Sequence, residues 1–227
     1  MSIDLKNTSG LASNGVKILA YGESGAGKTT AVATLPSPLV LSAEAGLLSL
    51  AGKEIPYIEI DSMAMLHDAY RFIASDADAM KSIESIAIDS ISEIAEIVLS
   101  AEMKNTKDPR QAYGAMIDQM GDVVRAFRDL PGRHVYMTAK CEKQQDDLGK
   151  LLYSPSMPGK KAAQALPYFF DEVLAIHIHK DAEGTTHRMF MTGSDGLWLA
   201  KDRSGKLDIW EPVDLGALIE KIKGGVS

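Results

Sequence analysis

A single cysteine, Cys141, stands in 227 residues. One thiol cannot close a disulfide within the chain, so a cystine-stapled scaffold is excluded and a reducing compartment fits. No apolar run is long enough to cross a bilayer. The N-terminal "MSIDLKNTSG" lacks the pattern of a signal peptide. A cytoplasmic location is therefore expected. Basic excess is missing as well: 24 Lys and Arg against 31 Asp and Glu leave a net charge of −7. Any contact with nucleic acid must then come from local basic loops. Internal repeats and low-complexity blocks are also absent. What remains is 45% hydrophobic and 24% charged, an ordinary globular balance. The length suits one sizeable α/β domain. The expectation is a single domain over 1–227, with 1–14 as a flexible N-terminal segment.

Glycine, by contrast, is concentrated. In "LAYGESGAGKTTAV" (19–32), Gly22, Gly25 and Gly27 precede Lys28, Thr29 and Thr30. Gly22, Gly27, Lys28 and Thr29 fit G-x-x-x-x-G-K-[ST] without a mismatch. Glycines allow positive φ and close approach of a ligand, so the successive amides of Gly22, Glu23, Ser24, Gly25, Ala26, Gly27, Lys28, Thr29 and Thr30 can line an anion nest. Lys28 would bridge the β- and γ-phosphates of ATP, and the Thr29 hydroxyl would hold Mg²⁺. The flanks agree: "GVKILAY" reads as a strand, and "KTTAVATL" as a helix ending before Pro36.

Further along, Pro38 to Ser42 and "IPYIEID" read as strands, and "SMAMLHDAYRFIAS" as a helix with Met63, Leu66, Tyr70 and Ile73 on one side. Ile86 to Ile88, ending in Asp89, suits a strand buried on both faces of a parallel sheet. "ISEIAEIVLSAEMK" reads as a helix, "NTKDPRQAYG" as a polar connection and "AMIDQMGDVVRAFRDL" as another helix. "RHVYMTA" is a strand, "CEKQQDDLGK" a charged loop or hairpin tip, and "LLYSPSMPGKKAAQAL" irregular. "DEVLAIHIH", "HRMFMTG" and "GLWLAKD" read as strands, and "EPVDLGALIEKIKGG" as a closing helix. Early alternation and late hairpins predict a mainly parallel central sheet flanked by helices, with C-terminal antiparallel strands.

Asp89 follows its strand where a phosphate-binding ATPase places a magnesium-side carboxylate, reached through water, and Ser90 can assist. The alternative is that "DS" merely caps the next helix. Glu44 lies just past the second strand, on the edge where open α/β sheets bind ligands. There a carboxylate can orient or deprotonate attacking water; otherwise it is a solvated loop glutamate. His177 and His179 alternate on one strand face without a supporting ligand set, so a structural role is expected. Cys141 reads as an ordinary thiol, and the eleven methionines as core and interface filler.

"GESGAGKTT", "LSAEAGL", "IAIDS" and "LAKDRSG" occur in the order found in RecA-type ATPases. The chain most resembles the core-only RecA-like ATPases of phages that act in single-strand annealing and recombination. That resemblance implies a RecA-like core, Glu44 as catalytic glutamate, and Mg²⁺ and ATP as cofactors. It implies that Lys201 and Arg203, a K-x-R pair, reach a neighbouring subunit's nucleotide; the alternative is an exposed turn with two solvated cations. A homo-oligomeric ring or filament follows, with single-stranded DNA and a single-strand DNA-binding protein as partners. RecA relatives carry glutamine after the strand "HVYMTAK"; here Thr138 and Lys140 stand there, with Lys140 a candidate sensor. DNA contacts would come from Lys104, Lys107, Arg110 and Tyr113, from Lys143 and Lys150, and from Lys160 and Lys161. Nearby acids, Asp108, Asp146 and Asp147, leave solvated faces as the alternative. A nucleotide-switch assembly factor for replication or packaging, or a small-molecule kinase, are the rival functions.

Overall fold

The computed structural model describes residues 14–44, 46–75, 77–145, 149–180 and 183–224. The N-terminal segment expected to be flexible, as far as residue 13, and Asp146 and Asp147 lie outside them. The elements run β1 (Lys17–Gly22), α1 (Lys28–Ala31), β2 (Pro38–Ser42), β3 (Tyr57–Glu59), α2 (Met63–Ile73), β4 (Ser85–Asp89), α3 (Ile91–Asn105), α4 (Pro109–Arg128), β5 (His134–Gln145), β6 (Leu151–Ser156), α5 (Lys160–Ala165), β7 (Glu172–Lys180), β8 (Thr186–Met191), β9 (Lys201–Asp202), β10 (Trp210–Pro212) and α6 (Leu215–Lys223).

One sheet carries them in the order β10-β8-β7-β1-β5-β4-β2-β3. The strands from β7 to β3 in this order are mutually parallel. β6, β8, β9 and β10 add antiparallel pairings at β5, β7 and β8. The fold is the expected one, a mainly parallel α/β sheet with C-terminal antiparallel strands. Side chains alternate across each strand. Leu19, Tyr21, Ile86, Ile88 and Met137 therefore pack under α2, α3 and α4, while Ile18, Ala20, Ala87 and Tyr136 pack against α1 and α6. Burial on both faces is why the central strands are unbroken apolar runs.

Four segments differ from the sequence reading. The helix after the glycine loop is a single α-turn followed by a 3-10 turn, Val32–Thr34, because the chain must reach β2 by way of Pro36. The stretch "PRQAYG" is no connection but the start of α4. Asp108 caps it and Pro109 occupies the first turn, where its missing N–H costs nothing. The irregular stretch holds β6 and α5: β6 turns back along the extended end of β5, and Gly159, at φ 86°, starts α5. "GLWLAKD" makes only the two-residue β9 and an isolated bridge from Trp198 to Tyr153.

The end of the sheet where β1 and β7 begin buries unusual charge. Lys17 donates its amine to the carbonyls of Asn14, Leu130 and Arg133 at 3.1, 3.2 and 2.6 Å. Desolvation lowers its pKa to about 8. Glu172 is fully buried. The Asp202 carboxyl lies close enough to raise its pKa, though neither Glu172 oxygen meets a partner at hydrogen-bonding geometry. Burial first, and Asp202 next, push Glu172 up to about 8. The folded state therefore keeps a proton that the unfolded chain releases. The stability this group contributes is whole below pH 4 to 5 and falls as pH rises toward 8, by up to about 1.4 kcal/mol per unit. Replacing Glu172 by Gln should remove that slope. Urea unfolding at pH 5 and pH 8 should show the variant gaining on the wild type at the higher pH; an equal difference at both would refute it.

Candidate functional site

β1 delivers the glycine loop at its C-terminal end. A side chain at Gly22 would press on the Ile176 carbonyl of β7, at 3.2 Å. Gly25 and Gly27 take φ of 78° and 107°, the region other residues enter only with strain. Ala26 N–H bonds the Glu23 carbonyl at 3.2 Å, and Ala31 N–H bonds that of Gly27 at 3.0 Å. Lys28 folds its amine back on the loop, donating to the Gly22 and Glu23 carbonyls at 2.9 and 3.0 Å. Desolvation lowers its pKa, opposed by Glu44 and Asp89. Behind the loop, the buried Tyr136 of β5 donates its hydroxyl to the Lys28 carbonyl at 3.0 Å. With α1 so short, the nest of amides rather than a helix dipole is what the loop offers an anion.

Two strands away, β4 ends in Asp89, only 2% exposed. Its two oxygens accept from the Thr29 hydroxyl at 2.6 Å and the Thr138 hydroxyl at 2.5 Å. Capping of α3 falls to Ser90, whose oxygen accepts from Glu93 N–H at 3.3 Å. This separates the two readings of "DS": the serine caps, and the aspartate faces the loop. The Asp89–Ser90 peptide is cis. Ser90 also donates to the Glu44 carboxylate at 2.5 Å. The Glu44 backbone is tied down at both ends: its carbonyl accepts from Ser42 at 2.6 Å, and its N–H donates to the Asp89 carbonyl at 3.3 Å.

Gly22, Glu23, Ser24, Lys28 and Glu44 share a cleft of about 500 Å³ with Lys140, Cys141, Lys143 and Tyr153. Its size is that of a small-molecule site. Among the described residues no group of three or more His, Cys, Asp or Glu is placed to hold a metal ion. The Thr29 hydroxyl and Asp89 carboxylate are the hard oxygen donors that suit Mg²⁺, a cation that completes its shell with water and phosphate oxygens.

The other candidates are scattered. Lys140 lines the cleft but commits its amine to Glu93 at 2.6 Å. Lys201 donates to the Pro167 and Phe170 carbonyls at 2.8 and 2.6 Å, and Arg203 pairs with Asp171 at 3.0 Å. Both sit where β7 begins, level with Leu19 and below, at the end of the sheet opposite the loop. α3 and α4 form a hairpin, with Thr106 donating to Gln111 and Gln119 donating to Glu102. Lys104, Lys107 and Arg110 lie at its tip, with Arg110 paired to Asp108. Exposed Tyr113 packs beside Gly159, bringing it next to Lys160 and Lys161. Lys143 and Lys150 belong to the β5–β6 hairpin, Lys143 with its amine 5.9 Å from the Tyr153 ring centre. His177 is packed edge-on against Trp198 and Trp210, as a structural residue would be. Burial pushes the Cys141 thiol up to about 11. Sequence reading missed Tyr136 and the bond from Thr138 to Asp89. The only signal was two hydroxyl groups, Tyr136 and Thr138, inside an otherwise apolar central strand.

Thr138 is fully buried and bonds a charged partner, whereas Lys140 is exposed. Thr138→Val should lower stability by about 2 kcal/mol, the scale of a hydrogen bond to a charged group, and Lys140→Ala by less than about 1 kcal/mol. Denaturant titration of both variants checks the order; equal losses would refute it.

A family model described as an AAA domain matches residues 14–204. No curated protein matches the sequence. One similar solved structure is titled as a prototypical ATPase from the type III secretion system of pathogenic bacteria. It shares 13% identity at a TM-score of 0.49, covering 74% of this chain and 54% of that one. The chain thus spans about half the length of that protein. No helix among the described residues is long and apolar enough to cross a membrane. The matched span begins before β1, takes in the glycine loop, Glu44 and Asp89, and ends just past β9, which is well over half of the sequence. The chain belongs to the AAA domain family.

Proposed function

We infer that this protein is a Mg²⁺-dependent ATPase that works on single-stranded DNA as a homo-oligomer, in phage recombination of the annealing type. The observation that carries the ATPase part is the convergence of Lys28, Thr29, Asp89 and Glu44 at the C-terminal ends of β1, β4 and β2. In this reading the loop amides hold the triphosphate, and Lys28 exchanges the Gly22 and Glu23 carbonyls for β- and γ-phosphate oxygens. Thr29 and Asp89 would hold Mg²⁺, which supplies charge neutralisation of the phosphates when bound. Ser90 aims the Glu44 carboxylate, and Glu44 takes the proton of the attacking water. Thr138 holds the Asp89 carboxylate in place.

Lys201 and Arg203 lie too far down the sheet to serve their own loop. Any part they play in hydrolysis is played on a neighbouring subunit's nucleotide, which is the argument for an oligomer. The DNA-binding part rests on the resemblance and on Tyr113 with Lys160 and Lys161, an exposed ring beside two cations, which suits base stacking and phosphate contact. The tips that carry Lys104, Lys107 and Arg110, and Lys143 and Lys150, extend that cationic set. A single-strand DNA-binding protein is the further partner in this reading, and the single ATPase domain over 1–227 works in the cytoplasm.

Glu44→Gln should reduce hydrolysis by a hundredfold or more, on the scale of ~10²–10⁴ for a lost general base, while Mg·ATP binding persists. The assay is ATP turnover with and without single-stranded DNA, alongside the mass of the assembly. Unchanged turnover in the variant would remove Glu44 from the mechanism. Slow, DNA-indifferent turnover with a nucleotide-dependent mass would favour an assembly switch, and transfer of phosphate to a metabolite a kinase.

A further inference from the structure

The β7–β8 hairpin rises past the level of the glycine loop: Ile176 stands beside Gly22, and Ile178, two residues on, pairs with Arg188 of β8. From there Arg188 reaches back across the loop. A Cβ built on Gly27 would lie 2.9 Å from its Cδ and 3.3 Å from its Nε. The absence of a side chain at Gly27 is thus what lets Arg188 lie against the loop. Arg188 is exposed. Among the described residues its guanidinium makes neither a hydrogen bond nor an ion pair. Five donors in a planar fork are left uncommitted beside an anion nest, and that fork matches phosphate oxygens two at a time.

Its side of the loop decides which part of a nucleotide it meets. In the sheet order, Lys140, Asp89 and Glu44 belong to β5, β4 and the end of β2, all on one side of β1, while Arg188 belongs to β8, on the other. A triphosphate seated in the loop with its γ-end toward Glu44 must send its α-phosphate and nucleoside toward β7 and β8.

We propose that Arg188 is a nucleotide-binding residue acting within its own subunit, holding the α-phosphate end of ATP and ADP alike rather than the transferring γ-phosphate. This rests on the ATPase reading above. An interaction made equally with substrate and product lowers KM without speeding the chemical step.

Calorimetry with Mg·ADP and Mg·ATP, paired with steady-state turnover, tests it on wild type, Arg188→Ala and Arg188→Lys. Arg188→Ala should weaken both nucleotides by about tenfold, the scale of one charge-assisted phosphate contact. KM for ATP should rise by a similar factor, and kcat should fall less than about threefold. Arg188→Lys, a point charge without the fork, should fall between. Unfolding midpoints should match the wild type, since the side chain is exposed. ADP affinity unchanged in Arg188→Ala overturns the proposal, and so does a loss confined to kcat, which would mark a γ-phosphate role. A wild type that binds neither nucleotide overturns the ATPase reading itself, and the assignment of Arg188 with it.

Discussion

The Asp89 carboxylate, held by one hydroxyl from the glycine loop and one from β5, is the interaction on which the rest of the site depends. It is almost wholly buried, and a buried carboxylate is tolerated only when its oxygens are bonded. Thr29 and Thr138 satisfy that need from two directions. In doing so they fix the distance between the loop and the end of β4. The parallel register of β1 on β5 and of β5 on β4 places the three groups together before any ligand arrives. A ligand that takes Thr29 and Lys28 into its own shell finds its partners already oriented.

Packing supports the polar constellation from below. Each central strand sends alternate residues into two separate apolar layers, so the strand ends cannot slide without moving a whole layer. Gly22, Ser42 and Asp89 all terminate strands, and Lys28, Glu44 and Ser90 follow just beyond them. The opposite end of the sheet carries a different electrostatic load, with Lys17 and Glu172 buried there. That load bears on stability and leaves the cleft untouched, because the length of β1 separates the two.

The glycine loop, Asp89 and the both-faces burial of β4 were legible in the residues, because each follows from local rules: glycine for positive φ, an apolar run for a buried strand, a carboxylate at its end. Glu44 was legible as a position but not as a partner of Ser90, since nothing in "LSAEAGL" says which hydroxyl will meet it. The start of α4 was misread because Pro109 looked like a breaker, when a proline in the first turn is a starter. β6 and α5 were missed because β6 is stabilised by pairing to the extended end of β5, a contact remote in sequence. Arg188 carried no signal at all: a cation in a late hairpin meets Gly27 only after the sheet brings β8 two strands from β1.

What the amino-acid order determined by itself is therefore the loop, the alternation of strand and helix, and the residue types that stand at the strand ends. These are short-range matters of backbone freedom and hydrophobic period. The tertiary structure alone decided which hydroxyl bonds which carboxylate, that Lys140 commits its amine to Glu93, that Lys201 and Arg203 stand at the far end of the sheet, and that Arg188 lies on the loop. Each of those depends on strand order and register, which arise from long-range burial rather than from any local pattern.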